Sequence, residues 1–404
     1  MKVNIMGLCS ATLIIALTGS SASAALAPNY TKTAGKQNWS DGAIWSTLAL
    51  PSQSNTVQIR KGALITVDTN AVAGEIRVFE NSTLILNGSA NVVVDDGAGG
   101  NNPVMIGYLT EGVLNVNGGS LKSSRLYLGY NATGSGIISG GIIECPFIYI
   151  GYTATGSANV TQTGGQVLTK SSLNINYTSG ANGIYNLQGG TLTAGSLIFR
   201  TKNDATHSPF NWTGGTLKTA DISYMDTWAE PNPVFNQTAG ILDPTMINPD
   251  GSISEIAALR IRTTGTGDAS YTLSGAGHLQ MQLNGTSQGD YDQLWVEGTF
   301  TAGGTLDVAL ATGFKPKLGD RFTLIKAATI NGIFSQVNLP ALENGLDWNS
   351  DNLLTNGTLT VCAGRVVGCL LDDFRTGDFC EGSFYQMVRR RWNQPKTIAQ
   401  ILPL

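Results

Sequence analysis

The chain has 404 residues, room for two or three domains, with a formal net charge of -4 and only 13% charged residues. That balance excludes a nucleic-acid partner held through a basic stripe, and the many apolar residues exclude a disordered chain. Glycine accounts for 50 residues, well above the usual share, and with abundant Asn, Thr and Ser it suits short strands joined by tight turns.

Residues 1–24 read as a secretory signal peptide. Lys2 supplies the positive start, Leu13 to Leu17 belong to the apolar core, and Ala22-Ser23-Ala24 offers the cleavage site. This segment is too short for a stable membrane span, and no later run is long and apolar enough, so the chain is expected not to span a membrane. The expected location is secreted, extracellular or at a cell surface. Four cysteines follow the cleavage site: Cys145, Cys362, Cys369 and Cys380. Export permits disulfides, and four cysteines allow three pairings. Cys145 has no cysteine near it in its own repeat and is expected as a small buried apolar residue.

Residues 25–105 are expected to form an N-terminal cap and the first β coils. Trp39 and Trp45 flank a turn in Asn38-Trp39-Ser40-Asp41-Gly42-Ala43-Ile44-Trp45. The two rings can plug an open hydrophobic end, which the terminal units of a solenoid must do, or offer their faces to a sugar. Alternating strands are expected at 57–59, 64–67, 75–78, 84–86 and 92–94.

From 106 to 260 the chain repeats itself. Glycine pairs stand at Gly118-Gly119, Gly140-Gly141, Gly164-Gly165, Gly189-Gly190 and Gly214-Gly215, with a weaker Ala239-Gly240, at spacings of 22, 24, 25, 25 and 25. A second mark keeps step: Tyr108, Tyr130 and Tyr152 each follow Ile-Gly or Leu-Gly, and Tyr177 follows Ile-Asn. A unit this short cannot bury its apolar face alone. It can do so by pairing its backbone with like units above and below at about 4.8 Å. The period therefore predicts an all-β chain: a right-handed parallel β-helix, or β-solenoid, with glycine at its corners. A β-sandwich is the competing fold, but its strands do not keep a fixed glycine register. The in-register tyrosines either stack as a ladder at a corner or form an exposed row for glycan contact.

Residues 261–361 are expected to form a C-terminal β domain, with strands at 294–296, 305–310, 321–325 and 357–361. The run Tyr291-Asp292-Gln293-Leu294, Gly303-Gly304-Thr305-Leu306, Gly313-Phe314-Lys315-Pro316, Gly319-Asp320-Arg321-Phe322 and Gly332-Ile333-Phe334 resembles a region near the end of many bacterial exported β-helix proteins. These are the autotransporter-passenger-like and PEP-CTERM-type surface proteins common in planctomycete-like bacteria. The glycine-pair repeats resemble the same group. The resemblance covers roughly residues 30–361 and implies surface location and architecture, with little chemistry. No Pro-Glu-Pro motif with an apolar span and basic tail follows Val361, so sorting by that route is not expected.

The Cys-containing tail, 362–404, resembles a degenerate dockerin-like calcium repeat around Gly368-Cys369-Leu370-Leu371-Asp372-Asp373. Its calcium candidates are Asp372, Asp373 and Asp378, but Cys369 and Leu371 stand where the first oxygen ligands belong. The competing reading of this tail is a short amphipathic helix near Phe384 to Trp392, tied down by one disulfide.

Little else in the sequence carries chemistry. His207 and His278 have no metal-spaced partner. A polysaccharide-cleaving solenoid would need converging carboxylates, or acids with a basic proton acceptor. Lys122 and Glu144 lie one unit apart, which predicts a surface ion pair rather than a site. Asp290 and Asp292 are expected in turns. No catalytic residue, cofactor or metal is therefore assigned. The expectation is an exported structural or adhesive protein without catalysis. Its partners would be extracellular polysaccharide or other surface proteins, with no nucleic acid. The alternative is a carbohydrate-binding or polysaccharide-degrading β-helix, with Trp39, Trp45, Tyr108, Tyr130, Tyr152 and Tyr177 as glycan contacts.

Overall fold

One repeat shows how the rest are built, in a computed structural model that describes residues 25–364 apart from 96, 98, 201–208, 226–231 and 266. The strand Gly112–Val116 alternates, burying Leu114 and Val116. The chain turns at Gly118-Gly119 into Ser120–Ser123, bends at Ser124 into Arg125–Leu128, and turns again at Gly129 before Thr133–Ile138 begins the next coil. Each coil thus has three sides, and each side pairs with its equivalents in the neighbouring coils. Gly112–Val116 lies between Ser82–Leu86 and Thr133–Ile138. Ser120–Ser123 lies between Asn91–Val94 and Ile142–Glu144. Arg125–Leu128 lies between Pro103–Ile106 and Phe147–Ile150. All six pairings are parallel. Among the described strands, antiparallel ladders are confined to Met246–Ile247 with Ile253–Ser254 and to one sheet of Arg321–Thr323, Leu346–Asn349 and Thr358–Ala363, beside isolated antiparallel bridges at Thr31–Trp45 and Leu283–Tyr291. The protein is all-β, with parallel strands in long sheets, as in a β-solenoid. The glycine doublets are corners of stacked coils and not antiparallel hairpins.

The two glycines of a doublet answer different demands. Gly190 has φ +72°, and a Cβ there would stand 2.5 Å from the carbonyl oxygen of Gly165 in the coil below. Gly189 needs no positive φ, but its Cβ would stand 2.3 Å from the carbonyl oxygen of Thr163. One residue is glycine for its conformation and the other for close approach. The corner before each tyrosine follows the first logic at Gly107, Gly129 and Gly151, all with positive φ. The fourth such corner uses Asn176 at φ +60°. Asparagine tolerates this region because its short amide bonds locally. Here it receives the Gly183 N–H and returns an N–H to the Gly183 carbonyl at 3.3 Å.

The interior is built of columns of like residues. On the second side Val92, Leu121, Ile143, Val167, Leu192, Leu217 and Leu242 form one, and all are essentially dry. Aromatic rings fill the later coils, where Phe199 stacks on Tyr224 and Tyr271 on Phe300. Two buried tyrosines keep their hydroxyls satisfied by one repeated device. Tyr185 donates to the Gln162 side chain and Tyr271 to that of Gln237. Each glutamine, three residues before the second position of a doublet, donates in turn to the corner carbonyl of Gly165 or Gly240.

Both ends of this column are closed by aromatic plugs. At the start, Trp39 and Trp45 meet edge to face at 5.0 Å, and Trp45 Nε1 donates to the Trp39 carbonyl. Asp41 caps the short 3-10 turn Gly42–Ile44 between them by accepting the Ala43 N–H. At the far end, Phe322 packs on Tyr291, Phe314 and Trp348 inside the small antiparallel sheet.

The organisation near residue 261 differs from the expected start of a separate domain. Ala258–Thr263 pairs with Asp221–Tyr224 on one side and with Gln293–Ala302 on the other, so the coils continue. The last parallel pairing joins Thr305–Leu310 to Gln336–Asn338. Past residue 261 the antiparallel sheet departs from the coil pattern, with the Gly319 N–H on the Val361 carbonyl and the Leu324 N–H on the Gly357 carbonyl. Cys145 is buried and free, as its isolation in sequence predicts, and lies 3.1 Å from Ser123 Oγ. Cys362 sits in the strand Thr358–Ala363 rather than in the tail, and is disulfide-bonded.

The corners give a paired test. Gly190→Ala should destabilise the chain by roughly 2 kcal/mol or more, from left-handed strain plus backbone collision. Asn176→Gly should lose only about 1 kcal/mol, the share of its side-chain hydrogen bonds. Equal losses in denaturant melts would contradict the division of roles.

Candidate functional site

Outward residues on the third side of the coils carry an aromatic cluster. Tyr108, Tyr130, Tyr152 and Tyr177 stand at the corner one coil apart, and their rings stack at 5.7, 5.3 and 5.1 Å with interplanar angles of 22°, 14° and 17°. The positive-φ corner residue before each ring sets this register. Arg77 lies over the outer face of Tyr108 at 4.4 Å, and Arg200 over that of Tyr177 at the same distance. The row therefore reads Arg, four tyrosines, Arg, and every ring has both faces covered. Cation–π contact closes the two ends.

A second row lies against the first. Tyr127 and Tyr149 occupy the outward position of Arg125–Leu128 and Phe147–Ile150 and stack at 4.9 Å. Their planes meet the corner rings edge to face: Tyr127 with Tyr130 and Tyr152, and Tyr149 with Tyr152 and Tyr177. Tyr152 thus touches four rings in the favoured stacked and T-shaped geometries. Burial pushes the Tyr127 hydroxyl up to about 12, against the pull of Arg125. Burial also raises Tyr130 and Tyr149. All three stay neutral at ordinary pH.

The sugar-stacking candidates fare unequally by geometry. Trp39 and Trp45 are 1% and 0% exposed, so neither ring has a face for a sugar, and both serve as the plug. Tyr108, Tyr130, Tyr152 and Tyr177 are brought together as the register predicts, but with their faces spent on one another. Tyr127 and Tyr149 went unread in the sequence. The signal was present as Leu126-Tyr127-Leu128 and Ile148-Tyr149-Ile150, where an aromatic alternates with two core residues. The calcium candidates Asp372, Asp373 and Asp378, the signal peptide and His207 lie outside the described residues.

Charge is concentrated on the second and third sides and is largely paired. Glu144 lies 3.9 Å from Lys122 and 3.0 Å from Lys170. Lys218 bridges Asp243 at 3.1 Å and Glu255 at 2.8 Å. Arg262 holds Asp221 at 2.7 Å. Burial works to lower the Lys218 ammonium, but Glu255 and Asp243 hold it above its usual value, which denies it the part of a proton acceptor. His278 opens the strand His278–Leu283, and its Nδ1 is 2.7 Å from Asp307 Oδ2. Among the described residues no group of three or more His, Cys, Asp or Glu side chains could hold a metal ion. No helix among them is long and apolar enough to cross a membrane.

Asp243 and Asp292 are the buried carboxyls of the described chain. Asp292 is more than a turn residue. It accepts the backbone N–H of Ala257 at 2.8 Å and of Gln282 at 2.7 Å, so it pins two coils together. Burial pushes its carboxyl up to about 8 despite those two donors, and Asp243 and Glu255 add to the rise.

The chain matches no protein-family model, and no match was found among curated proteins or solved structures.

Two measurements follow from the packing. Tyr152→Ala should cost about 2–4 kcal/mol of unfolding free energy, because it strips contacts from four rings. Tyr152→Phe should stay within about 0.5 kcal/mol, since the hydroxyl adds no ring contact. Similar losses for both in urea melts would show that the hydroxyl, and not the stack, matters. For Asp292, the folded value of about 8 lies above the ordinary 3.8, so the fold binds this proton more tightly than the unfolded chain does. Its stabilising share is full below about pH 4 and is lost as pH rises toward 8. Thermal melts should show Tm falling across that window, with a flatter profile in Asp292→Asn. A wild-type Tm that climbs across the window would overturn the assignment.

Proposed function

We propose that this protein is an exported structural or adhesive β-solenoid, secreted or held at a cell surface, which works through its long sides without catalysis. The observation that carries the reading is the run of parallel coils from Ala27–Tyr30 to Gln336–Asn338. A stack of that length presents extended sides, and its aromatic and acidic groups are committed to one another. The tyrosine faces are covered by rings and guanidinium groups. The buried carboxyls are engaged by Lys218 and by backbone N–H groups, which is poor preparation for hydrolysis or elimination. The right-handed sense of coiling belongs to this proposal and follows the strong preference of parallel crossovers. The leader-like start of the sequence and its resemblance to exported β-helix proteins support the location.

Expression of the full chain in a bacterial host, followed by fractionation, should find processed protein outside the cytoplasm. The purified chain should release no new reducing ends and no unsaturated products from a panel of plant, algal and bacterial polysaccharides. Turnover on any of them that disappears in Asp243→Asn or Asp292→Asn would replace the structural reading with an enzymatic one.

A further inference from the structure

The three sides of the coil differ in charge in a way that composition hides. The second side presents Lys122, Glu144, Lys218, Asp243 and Asp307. The third presents Glu75, Arg77, Arg125, Asp221, Arg260 and Arg262. On the first side Lys36 lies in the opening strand. From Ala63–Val67 onward no residue paired along that side is charged, through Asn182–Leu187 and Ser270–Leu273 to 329–332.

The pairing registers place its outward residues in columns. One column runs through Asn115, Ile137, Thr161, Asn186 and Asn211. In the later coils a like run passes through Asn236, Thr272, Thr301 and Asn331. A parallel column two residues earlier carries Val113, Ser135, Asn159 and Ile184. Neighbours in a column are about 4.8 Å apart, and the two columns stand about 7 Å apart on the pleat. At that rise the eight paired strands from Gly35–Asn38 to Phe210–Trp212 extend for roughly 34 Å.

Three amides on this side, those of Asn159, Asn186 and Asn211, are linked to one another. Asn186 Nδ2 donates to Asn159 Oδ1 at 2.7 Å and to the Val160 carbonyl at 2.9 Å, and Asn211 Nδ2 donates to Asn186 Oδ1 at 2.8 Å. At the adjoining corner Asn117 donates to Asn87, and Ser139 to Asn117, both at 2.9 Å. Side chains fixed in this way lose little freedom on contact with a ligand. Ile137, at 47% exposure, shows that apolar groups are left facing solvent among them.

We infer that this uncharged side is a docking surface for an ordered, neutral, hydroxyl-rich polysaccharide. The inference rests on the adhesive reading above and names its surface. Amides and hydroxyls both give and accept hydrogen bonds, as sugar hydroxyls do. The methyl groups of Thr, Val and Ile suit the apolar faces of sugar rings. A partner with fixed charges would find no counter-ion here and would have to desolvate its charges unpaired. Single contacts of this kind are weak, but their repetition along one rigid side makes binding multivalent against a repeating polymer. A second copy of the chain, side against side, is the competing occupant.

The test uses the full purified chain in pull-downs on insoluble cellulose, chitin and a β-1,3-glucan, with a charged polyuronate as comparison. At least one neutral polymer should retain the protein, unchanged between low and high salt, while the polyuronate should not. Ile137→Lys combined with Asn211→Asp should lower retention at least tenfold with the thermal melt preserved. Thr216→Lys on the second side should leave retention unchanged. Salt-sensitive retention, equal loss in the Thr216→Lys control, or no retention on any neutral polymer would overturn the surface assignment. So would reversible self-association in sedimentation that the first-side charges abolish, since it would give the side to a second copy. Export without polysaccharide cleavage, combined with failed retention, rejects the surface and leaves the structural reading standing. Cleavage rejects that reading instead.

Discussion

Backbone hydrogen bonding between successive coils is the constraint from which the rest follows. Within each paired run of strands a coil lends its N–H and C=O groups to the coils above and below, so the same position in each of those repeats falls in one column at about 4.8 Å. A residue type is then chosen by what stacks on itself. Leucine, isoleucine and valine do so inside. Tyrosine and asparagine do so outside, through ring contact and amide hydrogen bonds. Glycine does so at corners, where each coil's carbonyl lies against the next coil's Cα.

The same constraint accounts for the low charge of the chain. Two like charges in one column would face each other at strand spacing and repel. Charged residues therefore appear where the column alternates, as with Lys122 beneath Glu144 and Lys218 beneath Asp243. Where no alternation is available the column is neutral, and on the first side this extends almost from end to end. The 13% of charged residues is thus a consequence of stacking and is unevenly spent among the three sides.

How much of this was legible depends on whether a residue announces its period. Gly189-Gly190 and Tyr152 could be placed from the sequence because each recurs in a fixed phrase. Tyr127 and Tyr149 could not, because a Leu-Tyr-Leu triplet reads as a strand and says nothing of its neighbours. The asparagine columns were hidden by repeats that vary between 22 and 25 residues, so Asn186 over Asn211, with Asn159 diagonal to Asn186, is visible only once the register is known. Asp292 looked like any turn aspartate, since its partners at Ala257 and Gln282 are distant in sequence. The continuation past residue 261 was obscured because the glycine doublet weakens there and the Met246–Ser254 hairpin lengthens the repeat.

On the docking surface proposed above, stability and recognition fall on different sides of the coil. The tyrosine cluster gathers six rings on the third side, where binding would ordinarily be sought, yet they are stacked on one another and closed by Arg77 and Arg200. What holds the coils together there cannot also be offered to a ligand, because each ring has only two faces. The first side holds itself together differently. Its backbone ladder and its aliphatic and aromatic interior already fix the coil, and Asn159, Asn186 and Asn211 satisfy one another through only part of their donor and acceptor capacity. The remaining amide and hydroxyl capacity, set at strand spacing on a rigid neutral side, is the part of the surface not spent on folding.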